Sequence, residues 1–239
     1  MSTRLRFFLW MLVIIGAGFP LLAAPAHKTH TVVLGAAHKV PYSKTGDPAG
    51  AAADEKELKI RALVVDGVLK EWTTGEAHDV TDRSFVVRRV LRLNDALPSD
   101  QSPEQNAKKP TAWVWQRGPW LLVDRVTGRV TALKLPDYDP GVSQAAWFRD
   151  YAAYCGVTAS GKSLYAVVAQ VAARKAVLAK KLSAYDPENP PQPACALAEW
   201  QREPLRVTFH PAGRDAVRYD LVPGSAVLVE ESDEEQEPK

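Results

Sequence analysis

One short segment, residues 76–84, holds the side chains best suited to chemistry: His78, Asp79, Asp82 and Ser84. An imidazole transfers protons near neutral pH, carboxylates bind metals or act as bases, and a hydroxyl can become a nucleophile. The segment falls between two predicted strands and is therefore expected to be a loop, where binding and catalytic groups often lie. It contains no complete catalytic signature. The competing interpretation is a turn whose Asp and Thr side chains cap backbone groups while Arg83 pairs with an acid.

A second candidate for chemistry is a metal site at His27. If an export signal is cleaved after Ala26, the new terminal amine and the His27 imidazole form a bidentate copper ligand, and His30 or His38 could supply another nitrogen. A histidine at the processed N-terminus of a compact β domain resembles the copper site of lytic polysaccharide monooxygenases. That resemblance is carried by His27 alone and implies a copper enzyme. The competing interpretation is a flexible N-terminus that binds metal only incidentally.

Aromatic residues form a third group of candidates, because Trp113, Trp115 and Trp120 lie within eight residues of one another. An exposed strip of such rings could stack on sugars, which predicts carbohydrate binding. Trp113 and Trp115 share one face of a strand, as do Trp147 and Tyr151, and this parity is equally typical of a shared core. The alternation favours the core interpretation.

The N-terminus carries the pattern of a secretory signal peptide over residues 1–26. Arg4 and Arg6 precede an uncharged apolar run, which ends in the small-residue stretch Ala-Ala-Pro-Ala up to Ala26. The alternative is an uncleaved membrane anchor, since about twenty uncharged residues are enough to span a bilayer. Gly16, Gly18 and Pro20 weaken a helix there, which favours a cleaved signal. We therefore expect an exported protein, periplasmic or extracellular, with no membrane segment after cleavage.

Charge argues against nucleic-acid binding. The full chain has a net charge of +2, and its excess of basic residues lies entirely in residues 1–26. Six acidic residues crowd residues 230–239, which we expect to be a solvated, disordered tail. The basic residues of the chain between these ends are scattered rather than clustered into a patch, so nucleic acid is not expected as a partner.

The only two cysteines of the chain are Cys155 and Cys195. In an exported protein an even pair predicts a disulfide, which would close a loop of about 40 residues and contribute about 4 kcal/mol. Two buried free thiols are the alternative. The expected export favours the bridge.

Short alternating strands separated by turn residues run through residues 27–229 and predict one all-β antiparallel domain. Asp66-Gly67 between two such strands indicates a tight hairpin. Residues 164–182 are ambiguous, because their apolar spacing also fits an amphipathic helix, whereas Arg174-Lys175 favours a bend between two strands.

Two turns, at residues 122–129 and 158–165, look like the hairpin turns of β-propeller blades. That resemblance implies a propeller-like fold, and a sandwich is equally compatible with the strand pattern. The chain as a whole resembles uncharacterised exported bacterial proteins, through residues 71–83 and 147–156. This second resemblance implies a family but no activity.

Together these patterns predict an exported, non-catalytic β domain that binds a ligand or supports the envelope, with a carbohydrate or an envelope protein as the partner and no cofactor. The alternative is an exported enzyme that uses the segment around His78, Asp79 and Asp82, or a metal at His27.

Overall fold

The computed structural model describes residues 30–43, 57–94, 113–173, 175–189, 193–222 and 225–228. Those residues form fourteen β-strands, and every pair of neighbouring strands is antiparallel. The prediction of an all-β antiparallel fold is confirmed. The described residues include no helix that could cross a membrane. The predicted signal peptide and the predicted acidic tail lie outside the described residues.

The first sheet contains six strands in chain order, β1-β2-β3-β4-β5-β6. Their bounds are β1 Val32–Pro41, β2 Glu57–Val65, β3 Val68–Thr81, β4 Ser84–Asn94, β5 Trp113–Asp124 and β6 Val130–Ala132. Asp66 and Gly67 join β2 to β3 with φ angles of 51° and 78°. Two consecutive positive φ values are what a tight hairpin turn with right-handed twist requires, so the predicted hairpin is confirmed.

Two smaller sheets follow, and each contains four strands that are consecutive in the chain. The strands of the second sheet are β7 Ala146–Phe148, β8 Tyr151–Val157, β9 Ser163–Gln170 and β10 Leu178–Ala184. Those of the third sheet are β11 Glu199–Gln201, β12 Arg206–Phe209, β13 Val217–Val222 and β14 Ser225–Leu228. The ambiguous residues 164–182 thus form the β9–β10 hairpin rather than a helix, with Leu178 paired to Val168.

The first sheet curls until β1 meets β5. Tyr42, just past β1, forms a parallel bridge with Trp115, and the Ser43 amide donates to the Trp115 carbonyl at 3.0 Å. The curl encloses two apolar clusters, one around Leu63 and one around Ile60. It also turns the opposite face of β3, β4 and β5 outward, toward the rest of the chain.

The second and third sheets pack against each other in a sandwich-like arrangement around one shared apolar core. Val168 from β9 and Phe209 from β12 belong to the same buried cluster. Cys155 in β8 and Cys195, just before β11, form the predicted disulfide across this core. Both cysteines are at least 95% buried. The bridge therefore links the second sheet to the segment that leads into the third.

The outward face of the first sheet docks on the second sheet through aromatic side chains. Trp120 of β5 lies edge-on to Trp147 of β7, with ring centroids 5.1 Å apart. The Trp120 indole nitrogen also donates to the Tyr138 hydroxyl at 2.9 Å. Tyr138 in turn lies edge-on to Tyr154 of β8. These contacts fix how the first two sheets meet, and a cleft opens beside them.

Candidate functional site

The segment predicted to be a loop is instead the end of β3 and the turn into β4. Strand pairing continues to Thr81 and Ser84, because the turn between the strands needs only Asp82 and Arg83. The prediction of a loop at residues 76–84 is therefore wrong. Successive side chains of a strand point to opposite faces, so His78 and Asp79 are directed away from each other.

His78 lies at the junction of the first two sheets. Its Nε2 atom is 2.8 Å from the Arg149 carbonyl, so this nitrogen carries the proton and donates. Its ring stacks on Trp147, with centroids 5.8 Å apart and planes 22° apart. Both contacts join the first sheet to the second, so the imidazole has a structural role.

The other three candidates of this segment face different partners. Asp79 accepts a hydrogen bond from Arg125 at 2.6 Å. Ser84 shares a hydrogen bond with the Thr81 hydroxyl at 2.8 Å, and Asp82 is exposed in the turn. The structure does not bring His78, Asp79, Asp82 and Ser84 together around one point. Of the competing interpretation of a capped turn, one part is seen: the Thr81 hydroxyl accepts from the Arg83 amide at 3.2 Å, while the paired acid, Asp79, contacts Arg125.

His27 lies outside the described residues. His30 is described, and its Nδ1 atom is 2.7 Å from an Asp66 carboxylate oxygen, whose other oxygen accepts from the Thr31 amide at 3.0 Å. Across the described residues, no three His, Cys, Asp or Glu side chains are grouped closely enough to hold a metal ion.

The three tryptophans expected to bind a ligand lie in three different settings. Trp113 is 40% exposed, and the Arg92 guanidinium lies 3.9 Å from its ring centroid. Trp115 packs edge-on to Trp72 in the interior of the first sheet. Trp120 is only 7% exposed and belongs to the sheet junction. They do not form one strip for a sugar, and Trp120 borders a cleft.

That cleft has a volume of about 770 Å³ and lies beside the sheet junction. We call it the Arg88 cleft. It is bordered by the first five strands of the first sheet, β1 to β5, by Gln144 and Ala145 before β7, and by Leu197 before β11. Its basic residues are Lys59, Arg61, Arg88 and Arg117, and its acidic residues are Glu57 and Glu76.

An irregularity in β3 shapes one wall of the cleft. Between the pairs Thr73–Arg89 and Ala77–Val87, β3 advances four residues while β4 advances two. Gly75 in this bulge has a φ of 78°. The Thr73 hydroxyl accepts a hydrogen bond from the Gly75 amide at 3.2 Å and donates one to the Arg61 carbonyl. A Cβ on Gly75 would lie 2.5 Å from the Arg61 Cδ atom. The glycine thus makes room for the Arg61 side chain beside the bulge.

Arg88 is the most unusual group in the cleft lining, because it is a charged residue with only 8% of its surface exposed. Its Nε atom donates to the Gly118 carbonyl at 3.2 Å and its Nη2 atom to the Pro140 carbonyl at 2.6 Å. The guanidinium also lies 5.8 Å from the centroid of the Tyr138 ring. All of these partners are neutral, and among the described residues no carboxylate lies within ion-pair distance of Arg88.

Burial lowers the pKa of the Arg88 guanidinium and the positive charge of Arg117 lowers it further, whereas Tyr138, Tyr42 and the Glu76 carboxylate act in the opposite direction. An arginine nevertheless remains protonated in proteins, since its ordinary pKa is so far above neutrality. Arg88 therefore keeps a positive charge in a poorly hydrated position, where electrostatic interactions are stronger than in water. A negative group placed in the cleft would offset that charge.

Sequence reasoning did not single out Arg88, Arg61 or Arg117. A signal was present, since Arg88 and Arg89 interrupt the apolar run Phe85–Val90 and alternation places Arg88 on the same strand face as Val86. A charged residue on a buried strand face marks either an ion pair or a site. The partners of this face come from residues 118–145, so the strand pattern alone did not reveal the cleft.

Searches of protein-family models, curated proteins and solved structures found no match to this chain. A function for it is therefore argued from the geometry and the charge of the cleft.

Proposed function

We propose that this protein is an exported, non-catalytic binding domain whose ligand site is the Arg88 cleft. The observation that carries the proposal is the position of Arg88, a buried charge whose hydrogen-bond partners are neutral carbonyls and which borders a cleft of about 770 Å³. This volume is in the range of known small-molecule sites. The apolar surface of Trp120 and Leu197 is combined there with hydrogen-bonding groups such as Gln144.

A binding role is favoured over catalysis by the partners of the polar side chains. His78 is held between Trp147 and the Arg149 carbonyl, and Asp79 is paired with Arg125. A general base must reach a substrate proton, and a nucleophile must lie near its base. Neither arrangement exists among these side chains.

Export is favoured by the N-terminal pattern and by the cysteine chemistry. The disulfide between Cys155 and Cys195 is a bond that persists in oxidising compartments. Sequencing the N-terminus of the protein recovered outside the cytoplasm tests this part of the proposal. A first residue of His27 would support cleavage at the expected position, and an intact residue 1 would contradict it.

Binding is tested by recording amide NMR spectra of the purified protein during titration with a panel of short glycans and organic acids. We expect at least one compound to shift the amides of β3, β4 and β5 around Thr74, Arg88 and Trp120. If every compound leaves these amides unchanged at millimolar concentration, the Arg88 cleft is not the binding site.

A further inference from the structure

We infer that the ligand of the Arg88 cleft carries an oxyanion group, a carboxylate or a phosphate, which binds between Arg88 and Arg61. This inference rests on the proposed binding function and adds the chemical class of the ligand. Three features of the cleft lead to it: the balance of charge along its walls, the neutral partners of Arg88, and the uncharged groups beside them.

The walls of the cleft carry an excess of positive charge. Four basic residues and two acidic residues border it. One of the acids, Glu57, already accepts a hydrogen bond from Lys39 at 2.8 Å. The remaining acid, Glu76, is exposed on β3 and offsets part of the Arg88 charge without forming an ion pair with it, so the positive excess remains. A cleft with one sign of charge in excess raises the local concentration of ligands of the opposite sign.

Arg88 and Arg61 offer donors with the right geometry for an oxyanion. A guanidinium presents five N–H donors in a planar fork, which binds a carboxylate or a phosphate through two parallel hydrogen bonds. Arg88 uses its Nε and Nη2 atoms on the Gly118 and Pro140 carbonyls. These two bonds hold the guanidinium in place, so little side-chain entropy remains to be lost when a ligand binds.

Uncharged groups in the lining point to an organic ligand rather than a bare ion. Thr74 borders the cleft, but its hydroxyl oxygen is closed off from solvent and is not within reach of a ligand there. Trp120 and Leu197 add apolar surface, and Gln144 adds an amide. An acidic sugar combines all of these features in one molecule.

The test compares three probes in a low-salt Bis-Tris chloride buffer free of phosphate and sulfate. Trigalacturonate supplies carboxylates on a sugar, inorganic phosphate supplies the ion alone, and maltotriose supplies an uncharged sugar of similar size. Amide shifts locate each probe, and titration calorimetry measures its affinity. We expect trigalacturonate to bind at the cleft at least tenfold more tightly than maltotriose, with an affinity that falls when sodium chloride is added.

Three variants relate the measured affinity to individual arginines. Arg61→Gln removes an exposed charge from the cleft, and we expect it to weaken the binding of the anionic probe at least fivefold. Arg129→Gln removes an exposed charge from the turn between β5 and β6, outside the cleft lining, and should change the affinity by less than twofold. Arg88→Gln also loses the bonds to the Gly118 and Pro140 carbonyls, so its affinity is compared only if its urea midpoint shows a folded protein.

The outcomes separate this inference from the proposed function. If maltotriose binds at the cleft as tightly as trigalacturonate, the cleft is a binding site but the oxyanion inference is wrong. If no probe binds at the cleft, both are wrong. If phosphate binds and trigalacturonate does not, the oxyanion is a phosphate group and the acidic sugar is excluded. If Arg61→Gln and Arg129→Gln behave alike, the arginine cleft does not select the anion.

Discussion

The Trp120 indole nitrogen donates to the Tyr138 hydroxyl at 2.9 Å, and this hydrogen bond joins the first sheet to the segment that leads into the second. Burial raises the pKa of Tyr138, so the phenol remains protonated and can accept from the indole. Because Trp120 is 7% exposed, water has little access to its nitrogen if the hydroxyl is removed.

Tyr138→Phe should therefore destabilise the protein by about 1 to 3 kcal/mol, the usual cost of leaving a buried donor unsatisfied. Urea unfolding measures the change. Tyr165→Phe is the matched control, because its hydroxyl has no hydrogen-bond partner among the described residues. Equal losses in the two variants would contradict the role given to the Trp120–Tyr138 bond.

Gly75→Ala should destabilise the protein more than Gly67→Ala does. Both glycines have a φ of 78°, a backbone conformation that costs other residues about 1 to 2 kcal/mol. A Cβ on Gly67 meets nothing within 4 Å, whereas one on Gly75 meets the Arg61 Cδ atom at 2.5 Å. The difference between the two variants in urea unfolding reports the displacement of Arg61. Identical losses would show that the bulge does not depend on this close approach.

Removal of the disulfide should lower the free energy of unfolding by about 4 kcal/mol, on the chain-entropy account of a loop with a sequence separation of 40 residues. The Cys155→Ala, Cys195→Ala double variant tests this in urea unfolding. A reducing agent should destabilise the parent protein and leave the double variant unchanged. A double variant as stable as the oxidised parent would contradict the contribution of the bridge.

Acid should weaken the turn between β5 and β6 through Asp124. Its carboxylate accepts from the amides of Val126 at 2.7 Å and Thr127 at 3.0 Å. These bonds hold the pKa of Asp124 below its ordinary value of 3.8. Since the folded pKa is the lower one, the stabilisation is complete above the unfolded pKa and is lost as the pH falls through the folded pKa.

Asp124→Asn should consequently be less stable than the parent at pH 7, and the gap should narrow below about pH 4. Urea unfolding between pH 7 and pH 2.5 measures it. Asp82→Asn, in the exposed turn after β3, serves as the control with no such gap. A gap of constant size at every pH would show that the charge of Asp124 is not what supports the turn.

His78→Ala should reduce stability by about 1 to 3 kcal/mol, because it removes a stacked ring and the hydrogen bond to the Arg149 carbonyl. His38→Ala should cost less, because His38 is exposed on β1 and its ring meets only the edge of Trp72, with centroids 6.4 Å apart. Thermal unfolding compares the two variants. A His78→Ala protein of unchanged stability that lost a hydrolytic activity would instead support the enzyme alternative.

Local sequence patterns predicted the fold class well, because antiparallel strands joined by tight turns are specified by nearby residues. Asp66-Gly67 formed its hairpin, and residues 164–182 formed two strands although their spacing also fitted a helix. The same local reasoning failed at Asp82, where a two-residue turn left β3 and β4 paired up to Thr81 and Ser84. A segment rich in polar residues was mistaken for a loop.

The candidate site could not be predicted, since it is made by the docking of distant segments. Arg88 reaches the Pro140 carbonyl across 52 positions of the chain, and His78 reaches the Arg149 carbonyl across 71. Alternation along β4 gives the direction of the Arg88 side chain but not what lies opposite it. The Gly75 bulge likewise changes the register only once β3 is paired with β4.

Each of the three sheets is built from consecutive strands, so no strand is exchanged between them. Residues of the first sheet border the Arg88 cleft together with Ala145, which precedes the second sheet, and Leu197, which precedes the third. A molecule lodged there would touch all three parts of the fold at once. Its binding would therefore add contacts between three sheets that follow one another along the chain.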